Sequence, residues 1–88
     1  MLNNLKAIEI KNLENLKKLI VNEKVSVEGL VVEERFIYEN TILVKLDNEV
    51  EIICECDSFL NKNIRVEGVI EEFENKKQVR ALKVEVLN

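Results

Sequence analysis

The residues able to do chemistry in this chain are few. Its two cysteines, Cys54 and Cys56, are two positions apart, and it has no histidine. A zinc site needs about four ligands, so this pair alone cannot build one. On a regular extended strand their backbones would lie about 6.5–7 Å apart, which strains a disulfide. The expectation is two core thiols, with no metal and no cofactor. Two acid pairs, Glu33–Glu34 and Glu71–Glu72, invite a general acid–base reading. Neighbours on a strand point to opposite faces, so neither pair can share one reaction centre. With no nucleophile–base arrangement and no phosphate-cradling glycine loop, catalysis is not expected. What remains is binding chemistry. Arg35, Lys76, Lys77 and Arg80 are candidate phosphate contacts, and Phe36 and Tyr38 are candidate stacking rings. The competing reading of the basic set is solvated loop charge, with Arg80 paired to Glu72 across a hairpin.

Those residues need a scaffold. The chain has 88 residues, the size of one domain, with residues 1–23 an N-terminal extension and 24–88 the body. Hydrophobic residues make up 47% and charged residues 34%, which excludes wholesale disorder. The net charge of −4 argues against a generic basic coat for nucleic acid but leaves room for a local basic patch. No apolar run approaches the length that spans a bilayer, and the first residues lack a signal-peptide layout. A cytoplasmic location with no membrane contact is the expectation.

Residues 4–10 alternate weakly, as in a short strand. Asn12 reads as a helix N-cap, Leu13, Leu16 and Ile20 recur at helical spacing, and Asn22 is a left-handed stop. From Lys24 the period becomes two. Five strands follow: Lys24 towards Tyr38, Thr41–Leu46, Val50–Cys56, Ile64 to about Phe73, and Gln78–Leu87. Residues 57–63 form a connection, with one helical turn and with Phe59 and Leu60 facing inward. Val-Ser-Val-Glu-Gly at 25–29 is echoed by Ile-Arg-Val-Glu-Gly at 64–68, and these hold the only two glycines. Glycine inside a strand marks a bulge, a bend or a close backbone approach. Long strands bent there can serve both halves of a closed barrel.

Parity fixes expected registers, because a slip of one residue would expose each apolar set. A three-residue loop at Asp47–Glu49 sets Val44 against Ile52 and Ile42 against Cys54 inside, with Leu43 against Ile53 outside. A two-residue loop at Glu39–Asn40 sets Ile37 against Ile42 inside and Phe36 against Leu43 outside. A last loop at Asn75–Lys77 sets Ile70 against Leu82, Gly68 against Val84 and Val66 against Val86, all inside.

Two strands of this V-x-V-E-G type, a three-stranded meander, a short connector and a final hairpin resemble the OB-fold nucleic-acid-binding family. The closest look is to its compact anticodon-binding and replication-protein-like members. The resemblance implies an all-β, five-stranded OB-type Greek-key barrel carrying one short N-terminal helix. It implies a ligand across the outer face of the second and third barrel strands, where Phe36, Leu43, Lys45, Glu51 and Ile53 would lie. Arg35 and Tyr38 would flank it from the first loop, and Lys76, Lys77 and Arg80 from the last hairpin. The implied function is weak binding of single-stranded DNA or RNA, with Phe36 and Tyr38 stacking. The alternative is a protein–protein adaptor or homodimer built on the stripe Phe36–Leu43–Ile53.

Overall fold

The computed structural model describes residues 6–87. Its elements are β1 (Ile8–Ile10), α1 (Leu13–Lys17), β2 (Lys24–Tyr38), β3 (Thr41–Leu46), β4 (Glu51–Cys54), β5 (Asn63–Phe73) and β6 (Lys76–Val86). Positions 4 and 5 of the expected leading strand lie outside the described residues. β2 to β6 form one closed barrel in the order β2-β3-β4-β6-β5, with β5 returning to β2. β1 adds a short parallel strand beside residues 25–27 of β2. This is the OB-type barrel that the strand pattern implied.

β2 serves both halves of the barrel. Residues 24–30 pair with β5, and its second half pairs with β3. The internal echo explains the closing seam, because its two copies pair with each other. Val25 faces Gly68, Val27 faces Val66 and Gly29 faces Ile64. Val25, Val27, Ile64 and Val66 are all buried there. On the outside the same register sets Glu28 against Arg65, whose guanidinium reaches the carboxylate at 2.9 Å. The core continues through Val31, Ile42, Val44, Leu46, Val50, Ile52, Ile70 and Val79.

The β3–β4 register is the expected one, with Ile42 on Cys54, Leu43 on Ile53, Val44 on Ile52 and Lys45 on Glu51. The other two hairpins differ. Phe36 pairs with Ile42, and Arg35 pairs with Leu43, because the register shifts between Phe36 and Tyr38. Ile37 is the extra residue, and one extra residue flips everything before it. In the last hairpin the turn is Glu74–Asn75, both at positive φ (52° and 67°), with Phe73 opposite Lys76. That is a tight type I′ turn whose twist suits the strands. Ile70 therefore faces Val79, Gly68 faces Ala81 and Val66 faces Val84. Leu82 is the bulged residue and is 64% exposed instead of buried.

α1 begins where expected. The Asn12 side chain accepts from the Asn15 amide at 2.9 Å, and Asn22 is left-handed at φ 79°. The helix is shorter than its apolar spacing suggested, and Ile20 is exposed. Leu16 is completely buried, and Leu13 and Leu19 pack on the core. Asn48 in the β3–β4 loop accepts from the Leu13 amide, which fixes one end of the helix. Lys77 fixes the other end by donating to the carbonyls of Lys17 and Leu19.

β4 ends at Cys54, and the chain bends through Glu55 and Cys56. The bend brings the two cysteine Cα atoms to 5.4 Å, and the sulfurs are joined in a disulfide. The expectation of two thiols assumed an unbroken strand and is corrected by that bend. The connector after it makes turns, not a helical turn. Phe59 packs on the core, whereas Leu60 is exposed. The Glu34 carboxylate holds this connector through the Ser58 hydroxyl and the Phe59 amide, both at 2.6 Å.

Candidate nucleic-acid interface

Cross-strand partners project to the same face of a sheet. Val44 and Ile52 face the core, so Leu43 and Ile53 face outward, half-buried. The registers extend that pair on both sides. Arg35 lies opposite Leu43, and Arg80 lies opposite Ile53 through the parallel β4–β6 pairing. The result is one outer row across four strands: Arg35, Leu43, Ile53, Arg80. An apolar centre sits between two guanidinium groups. Tyr38, 62% exposed, lines the same groove as Ile53 and Arg80.

Arg80 is held but not consumed. Its Nε lies 3.2 Å from a Glu71 carboxylate oxygen, and the other oxygen of Glu71 accepts from Gln78 at 2.7 Å. The partner is Glu71, not Glu72, since the hairpin register sets Glu72 opposite Lys77. A guanidinium has five N–H donors, and this contact uses one. The next row along the sheet is Glu33, Lys45, Glu51, so Lys45 stands between two carboxylates.

The remaining candidates are distributed elsewhere. Phe36 is 78% exposed, but its partner Ile42 faces inward. It therefore lines a cleft with Glu34, Arg35, Asn40 and Ser58, at the Arg35 end of the Leu43–Ile53 stripe and not on it. Lys76 is exposed, and Lys77 is committed to the end of α1. Both share a second groove with Lys45, Lys17, Glu51 and Glu72. The basic set is thus split into an arginine row and a lysine groove. Sequence reasoning missed the pairing of Arg80 with Ile53 and the tether made by Glu34. The only local signal for the first was Asn75, a residue that favours the left-handed turn conformation.

No family model matches the chain, and no curated protein sequence matches it. Solved structures do match. The fission yeast (S. pombe) Stn1–Ten1 complex is similar with a TM-score of 0.63 and 14% identity over 74% of this chain. A replication protein A heterotrimer bound to single-stranded DNA is similar with a TM-score of 0.61 and 13% identity, again over 74%. This chain is an OB-fold. At that identity the likeness is one of fold, and the chain spans only 58% and 57% of the chains it matches.

Proposed function

We propose that this OB barrel is a binding module for single-stranded nucleic acid, with the strand lying along the Arg35–Leu43–Ile53–Arg80 row. The observation that carries the reading is that row. Bases have apolar faces and phosphates are anionic, so an apolar centre bounded by two arginines suits alternating base and backbone contacts. Tyr38 supplies a ring at the row's edge, and base–aromatic stacking contributes roughly 1–3 kcal/mol per base. Lys45 and Lys76 add charge along the flank, while Lys77 acts mainly on α1. The replication protein A neighbour is described as bound to single-stranded DNA, which agrees with this use of the fold. The net charge of −4 keeps the affinity modest, and the few cations on the row give a shallow salt dependence.

Anisotropy titrations of labelled oligo-dT and oligo-rU over a series of salt concentrations test this. Arg35→Gln with Arg80→Gln should weaken binding at least about tenfold. The salt slope should fall by roughly 0.7 for every phosphate that is no longer neutralised. Tyr38→Ala should weaken binding with no change of slope. Absence of binding at low salt, or affinity untouched by the arginine pair, overturns the reading. Light scattering separates a protein contact on the same row, because self-association that needs no oligonucleotide and is lost in Leu43→Glu would mark it.

A further inference from the structure

The barrel is closed at one end of the β4–β6 seam and open at the other. β6 pairs with β4 only through Ile52–Val79 and Ile53–Arg80. Beyond Arg80, β6 keeps β5 on one side, and among the described residues it has no strand on the other. β4 has already turned away at Cys54. The residues that follow on β6 include exposed Leu82, Lys83, Glu85 and Val86. An open edge of this kind is a template for another strand.

The sequence of this edge is its own antiparallel complement. Centred on Val84, antiparallel pairing with an identical strand sets Lys83 opposite Glu85 and Val84 opposite itself, with the bulged Leu82 at the end of the paired run. A shift of one residue sets each charge opposite an apolar side chain and breaks the alternation of faces. A shift of two sets Lys83 opposite Lys83, or Glu85 opposite Glu85, and like charges directly opposed are destabilising. One register satisfies both charge and face. Lys83 and Glu85 are also available for it. Their cross-strand neighbours are Glu67 and Arg65, yet Arg65 is paired to Glu28, and neither Lys83 nor Glu85 makes an ion pair among the described residues.

We infer that a second copy of this chain docks on the free edge of β6, antiparallel, about a two-fold axis through Val84. The dyad makes the interface isologous, so each Lys83–Glu85 contact occurs twice. The pairing continues the sheet from β5 and β6 of one copy into β6 and β5 of the other. The edge residues Leu82, Lys83 and Val84 border the groove that also holds Tyr38, Ile53 and Arg80, but the pairing does not rest on the nucleic-acid reading.

The opposite role for Lys83 is also definite. Charged residues on an edge, lysine above all, ordinarily keep strands apart. Charge reversal separates the two. Light scattering coupled to size exclusion, over a wide concentration range, should give twice the 10.2 kDa chain mass for the parent protein. Lys83→Glu and Glu85→Lys should each turn both pairs repulsive and raise the dimer dissociation constant roughly 10- to 100-fold. An equimolar mixture of the two variants should dimerise, and so should the double swap. Far-UV circular dichroism of each single variant and the recovery in the mixture guard against simple misfolding. A parent that stays monomeric, stronger association on Lys83→Ala, or a mixture that fails to recover overturns the inference.

Discussion

Gly68→Ala is expected to damage this fold far more than Gly29→Ala, although the two glycines hold the same place in the echoed segment. A Cβ added at Gly68 would lie 2.2 Å from the Arg80 carbonyl oxygen and 2.8 Å from a Val79 methyl. The first is backbone on a paired strand and cannot swing aside. At Gly29 the nearest atoms are a side-chain oxygen of Asp47 at 3.0 Å and the Leu46 Cβ at 3.1 Å. The Asp47 carboxylate can move by a few tenths of an ångström. Overpacking with adaptable neighbours costs about 1–3 kcal/mol, so the backbone collision at Gly68 should cost ~3 kcal/mol or more. At Gly29 the reduced entropy of the unfolded chain offsets about 0.4–1 kcal/mol of an overpacking cost of about 1–3 kcal/mol, leaving a net cost of ~0–2.6 kcal/mol. A chain of this size has roughly 4–13 kcal/mol of stability in total, so Gly68→Ala removes a large part of it. Urea melts followed by far-UV circular dichroism measure both variants, and a constant m-value confirms that the two states compared are the same. At about 4–8 °C per kcal/mol, the melting temperature should fall by ~12 °C or more for Gly68→Ala. Equal effects at the two glycines, or a reversed order, would refute the argument from close approach.

Three other perturbations follow from single contacts. Glu34→Ala removes the acceptor for Ser58 and for the partly buried Phe59 amide, and should cost about 1.5–3 kcal/mol by urea melt while speeding hydrogen exchange at Phe59. Glu74→Gly relieves a positive φ in a type I′ turn and should stabilise the protein by ~0.5–1 kcal/mol in thermal melts. Lys77→Met keeps the apolar stem but strips the donor from the Lys17 and Leu19 carbonyls. It should cost about 1–2 kcal/mol and leave the salt slope of oligonucleotide binding unchanged.

The parts of the fold legible in the sequence are those governed by strict alternation. The β3–β4 hairpin could be registered residue by residue, because Val44, Ile52, Ile42 and Cys54 must all face inward. The cap at Asn12 and the stop at Asn22 were legible because asparagine has a specific chemistry in each place. Bulges are where this reading breaks. Ile37 and Leu82 are apolar residues that parity assigns to the core, and an inserted residue leaves no mark in an alternating pattern. The arginine row was hidden for another reason. Arg35 was displaced by the Ile37 bulge, and Arg80 meets Ile53 only through a parallel pairing between strands far apart in sequence. Lys77 read as a free loop cation because nothing local says where α1 docks.

These displacements have a common origin in the closing seam. The two echoed segments pair antiparallel with each other, so the second half of β2 leaves β5 and runs out along β3. That departure is what carries Arg35 to the row. On the other side of the barrel, the Arg80 carbonyl crowds Gly68, and the bulge at Leu82 lies immediately after. A side chain at position 68 would push β6 outward where it meets β4 at Ile53. On the proposed nucleic-acid reading, Gly68 therefore bears on binding as well as on stability. It lets β6 come close enough for Arg80 to stand beside Ile53. A destabilised but still folded Gly68→Ala protein should bind oligonucleotide less tightly than a Gly29→Ala protein at the same temperature and salt. Equal affinity of the two folded variants would separate the seam from the site.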